Sequence, residues 1–318
     1  MYCRDDGEDA VRVFVLGGSG FIGAVVAVAL RDMGHEVIVG ARKSGDLSID
    51  RNDPAVVARL IARERCSVMI DMIAYEPHST MALRKALGDD IERYVLVSSA
   101  DVYRNYGGLH RLEEGEPIFD HLTEDSPLRT RLYPYRTISP RTADAPDAWK
   151  DAYDKIPTEC AVAGPSVTIV RLPMVYGPGD RNRRFAWIVT PMKRGAATIV
   201  APAAWLSWVT TYGHVNNVAA AIALCATNSA AAGRTYNCGE RPVSHAEWIA
   251  RFAALAGWSG EVVHDEAGPL AGAIGAMDLH YPLALSTDRI RSELGYAEVM
   301  ASDDAALSVL SEDRTLAH

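Results

Sequence analysis

The sequence predicts an α/β protein, a doubly wound parallel sheet with helices on both faces and a smaller C-terminal lobe. Three observations carry that expectation. Short apolar, β-branched runs alternate with segments of helical length and period. The first of those runs ends in closely spaced glycines that open a helix. Past residue 176 the regular alternation gives way to short helices and irregular stretches. A chain of 318 residues has room for one large domain, or for a domain with a smaller lobe. The expected division is residues 10-176 plus 209-240 for the sheet domain and 177-208 plus 241-318 for the lobe.

VRVFVLGG (11–18) reads as the first strand and FIGAVVAVALRDMG as the helix after it, with Gly34 as its stop. EVIVGARK (36–43) is the second strand. PAVVARLIARER (54–65) is a helix with Asp53 as N-cap and Pro54 at the first helical position. SVMIDMIA (67–74) and RYVLVSSA (93–100) are strands on either side of a helical MALRKALG. Residues 103–149 form a long polar, proline-containing segment without sustained periodicity, and loops of that length are usually functional. A helix is expected to open at DAYDKIPTE (151–159), followed by the strand SVTIVRLP (166–173) and the turn YGPGD. HAEWIARFAALAG and STDRIRSELG are short helices of the C-terminal part.

Composition excludes several classes of function. The net charge is −9, with no block of Lys or Arg, so neither nucleic acid nor an anionic membrane surface is an expected partner. No apolar run approaches the roughly 18 residues of a membrane span. The N-terminus MYCRDDGEDA has acids where a signal peptide is basic, so a cytoplasmic location is expected. Five scattered cysteines without a C-x-x-C pair suggest neither a disulfide framework nor a zinc site. The histidines make no ligand spacing, and no metal is expected.

GGSGFIG places Gly17, Gly20 and Gly23 between a strand and a helix, with Phe21 and Ile22 in the first helical turn. Glycine permits the tight turn and lets backbone approach a pyrophosphate, whose charge the helix N-terminal amides meet. With this motif in place, the chain resembles an extended short-chain dehydrogenase/reductase of the NAD-dependent epimerase/dehydratase family. GGSGFIG, DRNDP, VSSADVY, DKIPTE, RLPMVYGPGD, residues 213–226 and STDRIRSELGY carry the likeness over nearly the whole length. It implies a Rossmann-type fold and a nicotinamide cofactor; substrate is poorly specified, because the fold hosts many chemistries.

At the end of the second strand an acid would hold a ribose 2′-hydroxyl and an Arg a 2′-phosphate. GARKS has Arg42 and Lys43 and no acid before Asp46, which favours NADP over NAD. By the family's pattern Asp50 meets the adenine and backbone beside Pro173 meets the nicotinamide amide; Asp50 or Asp53 is otherwise only a helix cap. The resemblance also implies a homodimer through the MALRKALG and DAYDK helices.

Family chemistry uses a Tyr phenol as proton donor or acceptor, a Lys that lowers its pKa and holds the nicotinamide ribose, and a strand-end Ser or Thr. Ser99 and Lys155 match the last two. Four residues before Lys155, where the family has Tyr, stands Asp151. Tyr153 is two residues away, about 200° round a regular helix. Three readings stay open. Tyr153 is the acid if the first turn is irregular, Asp151 is a carboxylate base if it is regular, or proton transfer comes from elsewhere, such as Tyr103. Arg181, Arg183 and Arg184 are candidates for an anionic substrate group. Trp208 and Tyr212 are candidate substrate contacts or core, and TEDSP and RTRLYPYR are candidate contacts from the long segment. The leading expectation is an oxidoreductase or epimerase acting on an alcohol or ketone of a small metabolite or modified sugar. A non-redox lyase, isomerase or cyclase using Asp151, and a non-catalytic nucleotide-binding regulator, are the alternatives.

Overall fold

The computed structural model describes residues 10–268 and 270–312. Strands β1 (Arg12–Leu16), β2 (Glu36–Ala41), β3 (Leu47–Ser48), β4 (Val68–Asp71), β5 (Arg93–Ser99) and β6 (Val167–Leu172) follow in chain order. The short strands β7 (Met174–Tyr176), β8 (Thr198–Ala201), β9 (Val209–Thr210) and β10 (Tyr212–His214) precede β11 (Thr235–Asn237), which returns to the sheet. The seven-stranded sheet runs β11-β6-β5-β4-β1-β2-β3, and every neighbouring pair is parallel. Strand order reverses between β1 and β4, and the crevice at their carboxyl ends is where such sheets bind ligands.

β1 shows why these sequences become central strands. Val13 and Val15 pack on one face with Val26, Leu30, Val218 and Ile222, while Phe14 and Leu16 pack on the other with Val57, Ile61 and Met69. A strand buried on both faces reads as a continuous apolar run. The helices that cover it are α1 (Phe21–Asp32), α2 (Pro54–Arg63), α3 (Pro77–Leu87), the short α4 (Arg104–Leu109), α5 (Lys155–Val162), α6 (Ala186–Lys193), α7 (Ala203–Ser207), α8 (Val215–Thr227) and α9 (His245–Ala256). As expected, Pro54 opens α2, and the Asp53 carboxylate accepts from Val56 N at 3.0 Å. Gly34 lies past the end of α1 at φ +87°. A separate apolar cluster from α6, α7 and α9 holds Tyr176, Phe185, Ile188, Leu206, Trp248 and Phe252.

Two expectations need correction. The long segment carries a helix of its own, α4, whose six residues are too few for a periodic signal. More consequentially, no helix opens at Asp151. Residues Ala148–Asp151 form a separate 3-10 turn, and α5 begins only at Lys155. Asp154 is extended (φ −160°, ψ 123°), and its carboxylate caps Ile156 N at 3.0 Å. Pro157 then falls in the first turn, where its missing N–H and fixed φ are tolerated.

Candidate active site

The glycine turn between β1 and α1 is shaped for close approach. Gly17 sits at φ +85°, and a Cβ on Gly23 would stand 2.4 Å from the Gly17 carbonyl oxygen, so side chains are excluded at both positions. Gly20 is the N-cap of α1 and brings no side chain to cap it, and the first turn holds no acid, which leaves amides available to a phosphate. Phe21 and Ile22 form that first turn. Arg42 and Lys43 follow β2 with exposed side chains. Asp46 is turned back onto β2, accepting from Val39 N at 2.8 Å with Arg31 at 3.6 Å. Asp50 is exposed and accepts from Asn52 N at 2.9 Å; it is Asp53, not Asp50, that caps α2. Pro173 follows β6, whose Leu172 is registered against Ser99 on β5.

Starting α5 late frees Tyr153 from any helical register. Its hydroxyl donates to Asp101 Oδ2 at 2.8 Å, and Ser99, at the end of β5, lies beside the same phenol, close enough for its hydroxyl to favour the phenolate. Lys155 is the first residue of α5 and is buried. Its Nζ donates to the carbonyls of Ala74 (2.6 Å) and Val97 (2.8 Å) and stands 5.7 Å from the centroid of the Tyr153 ring. Burial pulls the Lys155 ammonium down to about 8, against the pull of the Asp101 and Asp71 carboxylates. Burial pushes the Asp101 carboxyl up, opposed by the Tyr153 hydrogen bond and by Arg129 and Lys155. Tyr153 is pushed up by burial and by the Asp101 charge. Ser99, Tyr153 and Lys155 thus converge at the carboxyl end of the sheet, although two residues rather than four separate the Tyr from the Lys.

The family model for NAD dependent epimerases/dehydratases matches residues 13–239, well over half of the sequence. The chain belongs to the NAD-dependent epimerase/dehydratase family. A curated relative, the 2′-dehydrokanamycin reductase of Streptomyces kanamyceticus, is 32% identical over 107 residues, a stretch that spans 30% of this chain and 30% of that protein. A short-chain dehydrogenase/reductase superfamily protein of Agrobacterium tumefaciens, solved with bound NAD, is 18% identical over 95% of this chain and 97% of its own, with a TM-score of 0.64. RMD from Pseudomonas aeruginosa, solved with NADPH, is 19% identical over 95% and 99%, with a TM-score of 0.65. At such identity the two structures speak for the fold.

Within this epimerase/dehydratase family chain the remaining candidates are placed as follows. Asp151 ends the 3-10 turn with its carboxylate held by the Arg141 guanidinium and by Arg141 N at 2.6 Å. Tyr103 is wholly buried; its hydroxyl donates to Asn237 Oδ1 at 2.5 Å and accepts from Arg171 at 3.1 Å. Trp208 stacks on Trp205 and donates to the Tyr281 carbonyl at 2.9 Å, and the Tyr212 hydroxyl lies 3.1 Å from His245 Nε2, so both belong to packed interior. Arg183 lines a cavity of about 200 Å³ together with Tyr176, Arg184, Val189 and Lys193. Arg184 is committed to Asp180 at 2.7 Å. Among the described residues no cluster of three metal-ligating side chains occurs, and no helix is long and apolar enough to cross a membrane.

Sequence reasoning missed Asp101, although it lies inside VSSADVY. An acid between the apolar Ala100 and Val102 at a strand end was the available signal. It also missed how the long segment reaches the site. Arg129 of RTRLYPYR forms an ion pair of 3.0 Å with Asp154, both side chains at 0% exposure, and its Nε donates to the Asp101 carbonyl. Tyr133 stands at φ +56°, a costly region for a non-glycine residue. Its N–H to Asp154 Oδ2 (2.6 Å) and the Arg136 guanidinium 3.7 Å above its ring hold it there. Tyr135 from the same run meets the Tyr153 ring at 5.2 Å, and Trp149 meets it at 5.7 Å. TEDSP goes elsewhere, with Glu124 accepting from Asn237 N at 2.7 Å on the sheet edge.

Proposed function

We propose that the chain is an NADP-dependent oxidoreductase that interconverts a secondary alcohol and a ketone on a small, sugar-like metabolite. One observation carries this reading: a phenol, a strand-end hydroxyl and a buried ammonium lie together at the carboxyl end of the sheet, despite a sequence spacing that argues against it. The Gly17–Gly20 turn and the α1 amides fit the pyrophosphate, and Lys155 has a third N–H to offer the ribose. The backbone beside Pro173 is the place for the carboxamide. The nicotinamide supplies or takes up the hydride; the protein positions the reacting carbon and moves the proton. Tyr153 donates to or accepts from the substrate oxygen, Ser99 polarises that oxygen, and Lys155 keeps a positive charge beside the phenol. The names of the relatives support the substrate class and the cofactor: one is named a 2′-dehydrokanamycin reductase, and two neighbours were solved with NAD and NADPH.

The test is direct. Purified protein is titrated with NADPH and NADH by nicotinamide fluorescence, then offered keto and hydroxy forms of modified sugars while nicotinamide absorbance is followed. Absence of both binding and turnover would sink the reading. Arg42 and Lys43 are the residues this reading assigns to the 2′-phosphate, and the double variant Arg42→Ala/Lys43→Ala is expected to weaken NADPH about 10- to 100-fold, or about 1.4–2.8 kcal/mol in all, because both side chains are exposed and contribute less than the roughly 1.5–3 kcal/mol of a desolvated charge-assisted contact. NADH affinity should barely move. Equal loss for both cofactors would place the 2′-phosphate elsewhere.

Lys155 makes a prediction in pH. Its ammonium is lowered to about 8, so the charge beside the phenol is present below that pH and is lost as pH rises through it. kcat/KM is therefore expected to fall above about pH 8, and Lys155→Arg, which stays charged, should shift that alkaline limb upward. An alkaline limb unmoved in Lys155→Arg would assign it to another group.

A further inference from the structure

Tyr153 does not end its hydrogen-bond chain. Its hydroxyl donates to Asp101 Oδ2 at 2.8 Å, the Tyr135 hydroxyl donates to the same oxygen at 3.4 Å, and the Tyr135 and Tyr106 hydroxyls lie 2.7 Å apart. The Tyr106 ring in turn packs at 4.3 Å on His110, which is exposed. Asp101 is only 3% exposed, and its Oδ1 has no hydrogen-bond partner. A carboxylate with fewer donors than it can accept has its charge poorly held, which keeps the protonated form within reach. The charged groups around it are Arg129, Lys155 and Asp154. Arg129 is balanced by Asp154, and Lys155 spends two of its three N–H groups on fixed carbonyls. Lys155 is therefore placed to act as a standing charge, and the oxygen in line to exchange a proton with Tyr153 is that of Asp101.

We propose that Asp101 is the proton-relay partner of Tyr153, with the Tyr135 and Tyr106 hydroxyls of the long segment extending its hydrogen-bond chain. In the oxidising direction the substrate O–H bond breaks as its proton binds Tyr153 Oη, and the proton Tyr153 held passes to the Asp101 carboxylate, which becomes a neutral carboxyl and gives that proton up to water before the next turnover. In the reducing direction each transfer reverses. The hydride and its electron pair are exchanged with the nicotinamide and do not pass through these residues. The inference rests on Tyr153 being the acid and base of an alcohol–ketone interconversion.

The experiment compares wild type, Asp101→Asn, Asp101→Glu and Tyr153→Phe, first by ultraviolet titration of the phenolate in the free protein, which needs no turnover. Tyr153, identified as the transition missing from Tyr153→Phe, is expected to ionise at lower pH in Asp101→Asn, because a neighbouring negative charge is gone. An unchanged transition overturns the pairing whatever the enzyme's substrate proves to be. In turnover, Asp101→Asn should lose about 100-fold in kcat with cofactor affinity intact and should lose the acid limb of the oxidation profile, while Asp101→Glu recovers part of both. A shifted phenol with unaltered kcat and pH profile would leave only a structural hydrogen bond and overturn the relay. Should Asp101→Asn not fold, the infrared carboxyl band of Asp101 is compared between wild type and Tyr153→Phe; a shared proton moves that band, and an unmoved band overturns the proposal.

Discussion

Replacing Tyr153 with Phe is expected to lower kcat by about 10²- to 10⁴-fold, the usual contribution of a positioned general acid or base, while NADPH binds as before. The phenol is the group whose hydroxyl bonds Asp101 with Ser99 nearby, and its ring stays packed against Tyr75, Tyr135 and Trp149 when the oxygen is removed. The matched control is Asp151→Asn. That carboxylate is engaged by Arg141, about a fifth of each side chain is exposed, and it accepts a backbone N–H as well. Its loss should cost under about 1 kcal/mol of stability and leave turnover near wild type. Steady-state kinetics on both variants, with cofactor titration alongside, separates two chemistries. If Asp151→Asn proves the more damaging, the reaction is driven by a carboxylate and the oxidoreductase reading falls.

The second large effect is expected from Arg129→Met, which should lower unfolding free energy by about 3–5 kcal/mol, because it strands the Asp154 carboxylate without its buried partner. Urea denaturation measures it, and a cycle with Asp154→Asn isolates the pair. The double variant should be more stable than the sum of the single losses predicts. Turnover should fall too, since Arg129 also holds the Asp101 carbonyl beside Tyr153. Additive losses in the cycle would mean the two side chains stabilise the protein independently.

The sheet was legible because parallel strands buried on both faces are written as short apolar runs, as β1 and β5 are. Asp53, Pro54 and Gly34 marked boundaries by local chemistry that needs no tertiary partner. Ser99 and Lys155 were named by the resemblance to the family's motifs rather than by local chemistry. Tyr153 was ambiguous, because a regular helix from residue 151 would turn it about 200° away from Lys155, and no such helix exists. Asp154 and Pro157 together carry the better local signal, a cap followed by a proline that only a first turn tolerates. Nothing local announces that Arg129 finds Asp154, or that Tyr135 finds Asp101 across 34 residues. Those pairings are decided by how the long segment packs, which periodicity does not encode. The Trp208 and Tyr212 side chains show the converse: aromatic residues near a family's substrate site were spent on filling the smaller apolar cluster and its neighbour.

Asp154 ties two pieces of chain together through three donors to one carboxylate: Ile156 N at the start of α5, and Tyr133 N and the Arg129 guanidinium from the long segment. The consequence is one of cooperativity. Opening the long segment removes two of the three donors and leaves the helix start with an under-satisfied buried charge, so loop and helix end are coupled as a single unit of local unfolding. The machinery around Tyr153 therefore has no half-assembled state of low cost. It is either complete, with the long segment down, or released as a whole.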